Sequence, residues 1–575
     1  MNRNEMLAAR DAYLAKLKEE LKDKFPEALE FYNNEENFTT SETPEWPKNK
    51  NSRKGLTSSK NVLSDAELRH LLRRVFQGYS KETFLHFQGK TRAEVVAELT
   101  TEEELAEPVN DYSYNDPDVA FGASFANAPW SQDFTGDRVI SLKSWFVDQM
   151  RTASTSMHST MWLFWHNHLV TGLWAVFNGR MSYQYLKLLH DLSFGDFKEL
   201  MYRITVDPAM LIYLNGIVNN VDAPDENYGR ELQELFTIGK GPDAGYTETD
   251  VQQAARILTG WNLDWGGTEE TVFNPWAHDT SDKQFSAFYG NKLIEGKEGD
   301  AGIEETQELI EMIFETNEVA AFFVRQLYIF FVSPEIDEWT ETNIIQPLAQ
   351  TFRDNDYVVK PVIEELLLSD HFYDEVNYGA IIKAPTDVML GFYKGMNAWV
   401  PFDEEAEIMD RRALNTNMMW NMDAWGMQIG DPPNVAGWPA YFQIPTFDKT
   451  WVTTHTILRR ISYTDVFIYW GFWYKDGGRA ELDLLEFTKS LDNPADPSAL
   501  IQEVEDMFFG IPINEDVKTS IKGILLTGQT EDFYWTNAWL EWQADESDET
   551  AQAIVFNRLR PMYQRLFNLS EFQLK

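Results

Sequence analysis

The sequence predicts a mainly α protein: one large multi-helical body with long irregular loops and little strand. Three observations carry that prediction. Apolar residues recur at helical spacing behind recognisable cap residues along most of the chain. Alternating strand patterns are sparse. No internal repeat with a period of about 20–50 residues is found. The chain has 575 residues, 43% hydrophobic and 14% aromatic with 20 Trp, enough apolar material to bury a large core.

Residues 1–61 read as an N-terminal amphipathic helix, with Leu7, Leu14, Leu17 and Leu21 on one face, and a polar linker or surface strap over 33–61. A helical domain is expected over 62–465, and a C-terminal helical region packed on it over 466–575. Ser64 is placed to cap a helix, with Glu67 completing a capping box and Leu68, Leu71, Leu72 and Val75 on its apolar face. Short helices follow over 81–106, then an irregular Asp/Asn/Gly/Pro-rich stretch over 107–137. Met157–Thr171 is apolar almost all round and is predicted to be a buried central helix. Asp222-Ala223-Pro224 opens the next helix, with Pro224 near its first position. Its core stripe is Tyr228, Leu232, Leu235 and Phe236, and Gly239 ends it. Thr247–Thr259 forms another, closed by Gly260; 261–300 is loop with room for a hairpin. Helices resume at Ile303–Thr316, Glu318–Val332, Asn343–Arg353, Val359–Leu368 and Ala384–Trp399. Asp431–Pro445 is a rigid, turn-rich loop.

Composition narrows function. There are 49 Lys+Arg against 92 Asp+Glu, a formal charge of −43. Such a surface repels phosphate backbones, so nucleic acid is not an expected partner. Without cysteine, disulfides, thiolate metal sites and Cys nucleophiles are excluded. No apolar run approaches the ~20 residues of a membrane helix. The N-terminus carries no secretory pattern, so the chain is expected to be cytoplasmic unless a signal was already removed.

His166-Asn167-His168 sits on the central helix. Residues two apart on a helix point about 200° apart, so both imidazoles cannot ligate one ion. Polar groups inside an aromatic helix are costly unless paired, so partners from other segments are required. Asn227, Glu231 and Glu234 form a stripe flanking an apolar face, with Glu231 nearest the boundary and Arg230 on the far side. Glu231 and Glu234 are spaced to share a cation or a proton. His278-Asp279, followed by Lys283, is a loop pair suited to metal ligation or acid–base work. Asn434 and Trp438 lie in Asp431-Pro-Pro-Asn-Val-Ala-Gly-Trp438, which reads either as a lip over a pocket or as a structural turn packed by Trp438. HExxH, GxSxG, Walker and GxGxxG patterns are absent.

The strings MWLFWHNHLVTG (161–172), DPAMLIYLNG (207–216), ENYGRELQELFTIGKG (226–241), YTETDVQQAARILTGW (246–261), His278-Asp279 with Lys283, and PPNVAGW (432–438) occur in this order. Together they resemble domain-of-unknown-function family 1800, a group of large bacterial proteins. The resemblance implies frequent export, as an alternative to the cytoplasm, and a protein partner of the phosphatase- and sulfatase-like family 1501.

Two functions are expected from these residues. The first is a binding or scaffold protein with a buried His/Asn/Glu polar site, whose aromatic loops take a protein or a glycan. Asn167, Asn227, Arg230, Asn434 and Trp438 are its candidate binding residues. The alternative is a metal-assisted hydrolase, with His166 or His168, Glu231, Glu234, His278 and Asp279 as catalytic candidates. A divalent cation would then be held among His168, Glu231, Glu234, His278 and Asp279. In either case one of His166 and His168 is expected to meet Glu231 and His278–Asp279 at one polar site. The charge balance also predicts no measurable duplex DNA binding at physiological salt; submicromolar, salt-sensitive binding in a gel-shift assay would contradict it.

Overall fold

The computed structural model describes residues 53–575 apart from 59–60, 241–243, 266–267, 401–406, 443–446 and 476–477. The expected N-terminal amphipathic helix lies outside the described residues, as does most of the 33–61 linker. Its last part is a strap. Arg53 pairs with Asp337 (2.7 Å), Thr57 donates to Asp370 (2.9 Å), and Ser58 bridges Ser369. Helices dominate the described residues, and the strands form only two-stranded antiparallel sheets. Two such sheets lie in the 261–300 excursion: Trp261–Leu263 with Thr271–Phe273, and Lys283–Gln284 with Leu293–Ile294. No described helix is long and apolar enough to cross a membrane. Ser52–Lys575 packs as one unit.

Cap chemistry sets many of the boundaries. Ser64 and Glu67 form the expected capping box on Asp65–Val75. Thr247 and Asp250 form another on Glu248–Ile257. Just beyond the first of these helices, Gly78 (φ +80°) lies against Gly391, and a Cβ there would stand 2.0 Å from the Gly391 Cα. Only glycine permits that crossing of two backbones.

Four expected boundaries move, each for a local reason. The central helix is His158–His168 rather than Met157–Thr171. Beyond it, the Tyr185 hydroxyl donates to Leu169 O (2.6 Å) and accepts the Thr171 N–H (3.3 Å), which holds the chain outside helical geometry. The next motif helix starts at Glu226, not at Pro224, because Asp225 is its cap and accepts the Asn227 N–H (2.8 Å). Asn220 meanwhile ties Asp222 and Ala223 into a turn. Pro385–Gly395 stops short of Trp399, and Asn397 turns with φ 51°. The helix expected at Asn343 is preceded by a π turn, Glu341–Ile345, and runs on as Gln346–Asp354.

The helix His158–His168 is central in fact. Trp162 and Trp165 have no exposed surface. Trp162 packs on Phe146 (4.2 Å) and edge-on to Trp145 (5.2 Å). Trp165 stacks on Phe323 (5.2 Å) and meets Phe197 (5.2 Å), while its Nε1–H donates to Ser193 O (3.0 Å). Replacing Trp165 with Ala removes this aromatic contact and leaves a cavity, so we expect a loss of about 3–5 kcal/mol in urea unfolding. Trp276→Ala, whose ring is 93% exposed, should stay within about 0.5 kcal/mol.

Candidate functional site

The polar tripeptide at the end of the central helix engages three different segments. The Tyr185 hydroxyl has a single proton, which goes to Leu169 O. His166 Nδ1, 3.0 Å from that hydroxyl, must therefore be the donor. His166 Nε2 is then an unprotonated nitrogen, buried and without a partner among the described residues. Trp438 Nε1 is likewise unpartnered, and the two rings meet edge-on at 5.9 Å. His168 donates Nε2–H to Phe236 O (2.9 Å). Burial drives the His166 pKa down to about 3, with Lys143 adding to the effect, and that of His168 to about 4. Both imidazoles are neutral at any physiological pH. Asn167, half-buried between them, accepts the Trp438 N–H at 3.0 Å.

That last contact seats the 427–441 loop. Gly437 (φ +92°) lies so close that a Cβ would stand 2.4 Å from the Asn167 Oδ1. Asp431 pairs with Lys143 (2.7 Å), a lysine otherwise buried in the Thr135–Thr152 helix, and accepts the Trp174 N–H (2.8 Å). Leu173 N–H donates to Gly430 O (3.0 Å). Asn434 accepts the Ala436 N–H (2.9 Å) within the turn, and the Trp438 ring is fully buried. Of the two readings of this loop, the geometry matches the structural turn packed by Trp438.

On the other side stands Glu226–Glu231, which passes into a π turn at Leu232–Thr237. Such turns recur at functional sites because they re-aim side chains and carbonyls; here Phe236 O receives His168. Glu231 is half-buried and makes no hydrogen bond or ion pair with any described residue. Burial pushes its carboxyl above the usual range, against the pull of Lys240 and Arg230. Its charge acts on Tyr213 and Tyr246, whose hydroxyls burial also raises. Tyr213 feels Asp431 as well, and a Cβ on Gly172 would touch both, at 3.4 and 3.3 Å. Tyr213, Glu231 and Asp431 thus lie along one half-buried seam, and Asn167 borders it through the Gly437–Trp438 turn that follows Asp431. The neighbours of Glu231 are less free. Glu234 is ion-paired with Lys240. Arg230 is held by Glu226 (3.0 Å) and Glu248 (3.0 Å), and Asn227 donates to Leu214 O (3.2 Å).

His278–Asp279 belongs to a different knot. His278 faces an acceptor at each nitrogen, Thr259 O (2.9 Å) and Glu305 (3.0 Å), and Glu305 also pairs with buried Lys283. His278 and Lys283 hold the Glu305 carboxyl below its usual range despite burial. Burial opposes ionisation of Asp279 too, yet Arg256 (2.7 Å) and Ser281 hold its carboxyl far below the carboxylate range. The bonded partners are not the expected ones: His166 meets Tyr185, His168 meets Phe236 O, Glu231 has no bonded partner among the described residues, and His278 meets Thr259 O and Glu305, pinning the hairpin excursion to the Ile303–Phe314 helix. Among the described residues no group of three or more His, Asp and Glu is disposed to hold a metal ion. The set His168, Glu231, Glu234, His278 and Asp279 fails as a cation site because backbone carbonyls, lysines and arginines already take most of its donors.

The family model described as "Protein of unknown function (DUF1800)" matches residues 70–574. The chain belongs to the DUF1800 family. No curated protein and no solved structure matches it. The match spans every segment of the seam in this DUF1800 chain. Sequence reasoning missed four of the residues there: Lys143, Tyr213, Trp174 and Asp431 as a partner. Only Lys143 left a signal, as a lone cation in the apolar stretch VISLKSWFV that demands a buried acid.

Glu231 gives a pH test. A carboxyl whose pKa rises on folding stabilises the fold fully below its unfolded pKa, and that contribution is lost as pH rises through the folded value. Glu231→Gln should therefore raise the unfolding temperature at about pH 7.5, and the difference should vanish near pH 4. An equal shift at both pH values would show that titration of Glu231 is not its source.

Proposed function

We propose that this protein is a binding protein whose site is the seam of Asn167, Tyr213, Glu231 and Asp431, with neutral glycan as the ligand class. One observation carries the reading. Beside the seam, Trp174 and Phe177 present a near-parallel aromatic pair, centroids 6.1 Å apart, each 41% exposed. Phe177 holds the left-handed conformation (φ 48°). A bulky residue there costs about 1–3 kcal/mol, and strain of that kind persists where the surrounding structure enforces it. A Cβ on Gly136 would stand 4.0 Å from each ring, and the Trp174 backbone is fastened to Asp431.

The surrounding charges select the ligand. Lys143 is paired with Asp431, Lys240 with Glu234, Arg230 with Glu226 and Glu248, and Arg180 with Glu269. Among the described residues around the seam, the group left without a bonded partner is a carboxylate, Glu231, which disfavours an anionic ligand. A polyhydroxylated ring fits, stacking its C–H face on an aromatic shelf while hydroxyls donate to Glu231. The metal-assisted hydrolase draws no support from the arrangement of its proposed ligands.

A broad array of neutral oligosaccharides, followed by calorimetry on the hits, tests this. We expect Trp174→Ala and Phe177→Ala each to weaken binding at least about tenfold, with the unfolding temperature little changed. An array without hits sinks the proposal, and selective binding of cationic ligands would reassign the shelf to cation–π recognition.

A further inference from the structure

The helix Phe533–Ala544 carries apolar side chains on every side. A helix of that kind belongs in an interior, yet this one has an open face. Trp535, Trp539 and Trp542 form its inner stripe and are buried. The Trp535 Nε1–H donates to Pro494 O (2.8 Å) and fixes the stripe in place. Phe533 and Leu540 lie on the outer side, 50% and 49% exposed. They are seven residues apart, so they share one face about 10 Å apart along the axis. The apolar surface continues beyond this face. Phe533 stacks on exposed Tyr534 (4.2 Å). The Tyr534 carbonyl accepts an N–H of Arg558 (2.8 Å), which stands on the Glu549–Phe567 helix. One turn before Arg558, on the same side of that helix, Ile554 is exposed as well. Singly exposed apolar side chains are ordinary; here they run from one helix onto its neighbour.

Charge says what would cover them. From Glu531 to Glu549 the chain has seven acidic residues and no lysine or arginine. Lys522 pairs with Asp532 (2.7 Å) and Lys489 with Glu546 (2.5 Å). Asp545 accepts the Ser547 N–H, and Asp548 caps the Glu549–Phe567 helix. Glu531, Glu541 and Glu549 are exposed and have no ion pair among the described residues. Glu541 follows Leu540 and shares its side of the helix with Tyr534, seven residues earlier, so an acid borders the apolar stripe. A second copy of this chain would set these acids against themselves, and like charges across an interface cost affinity. Anionic lipid and nucleic acid are repelled for the same reason. A neutral apolar ligand would leave the acids unanswered. Lysines and arginines flanking an apolar stripe answer both features.

We propose that the outer face of Phe533–Ala544, continued by Tyr534 and Ile554, docks a basic amphipathic helix of a partner protein. The apolar stripe of that helix covers Phe533, Leu540 and Ile554, and its cations meet Glu531, Glu541 and Glu549. This surface is independent of the seam and of the ligand proposed for it.

Binding to the full-length protein is measured by fluorescence anisotropy with two labelled peptides of identical Leu/Lys composition. In one the leucines recur at helical spacing; in the other the order is scrambled at the same charge. We expect saturable binding of the first, at least about tenfold tighter than that of the scrambled peptide, with a gain of helical circular dichroism on mixing. Added salt should weaken it. Phe533→Ser combined with Leu540→Ser should lower affinity about tenfold or more, and Glu541→Lys should lower it by charge reversal alone. Trp276→Ser, an exposed indole outside these two helices, should change nothing. Absence of binding, equal affinity for the two peptides, or affinity unchanged in Glu541→Lys and in the folded serine variant overturns the proposal. So does a concentration-dependent dimer in sedimentation that the serine variant abolishes, which would assign the face to a second copy. If the serine variant does not fold, Glu541→Lys and the peptide pair decide.

Discussion

The arrangement of this protein depends on one requirement: the polar groups at the C-terminal end of a buried, aromatic-rich helix must find partners inside the core. His158–His168 is buried along almost its whole length. An unpaired imidazole or amide at such a place costs several kcal/mol. His166, Asn167 and His168 meet that requirement by reaching in three directions, to Tyr185, to the Trp438 backbone and to Phe236 O. Each contact recruits a segment remote in sequence. The helix therefore acts as an organiser, fixing where the 427–441 loop and the Leu232–Thr237 π turn sit. The seam between them is a consequence of that docking.

The seam and its surroundings divide polar residues into two kinds. Most are consumed: Asp431 by Lys143 and a backbone N–H, Glu234 by Lys240, His278 by Glu305 and Thr259. Their fields cancel locally, and they hold elements together. Glu231 differs, because burial raises its pKa and no described residue binds it. A carboxylate kept unpaired at a half-buried position lowers stability, which is tolerable where the group has something else to bind. The aromatic pair at Trp174 and Phe177 carries a cost of the same kind, since Phe177 holds a positive φ that a bulky residue rarely adopts.

Charge is spread unevenly over the fold. The chain carries −43 overall, and cations such as Lys143 and Lys283 are spent on Asp431 and Glu305. The acidic excess lies largely where water screens it; between Glu531 and Glu549 it stands beside exposed apolar side chains. Net charge describes a surface and its long-range partners, and it is silent about which acids the fold sets beside an apolar face.

Much was legible in the sequence by itself. The mainly α class, the burial of Trp162 and Trp165, the capping box at Ser64 and the need of the His-Asn-His tripeptide for outside partners all follow from local rules: helical periodicity, cap chemistry and the cost of unpaired polar groups. Glu231 was singled out by its position at the edge of an apolar stripe, and it is the carboxylate left unpaired in the seam. Tertiary structure alone decided which partners answer. His278–Asp279 was expected beside the tripeptide and instead joins Glu305 and Lys283, because a loop of forty residues can reach either place and its sequence does not say which. Helix ends at His168 and Glu226 moved because Tyr185 and Asp225 compete for backbone groups. Periodicity reports which face of a segment is buried, whereas the identity of what covers that face is set by contacts between residues hundreds of positions apart.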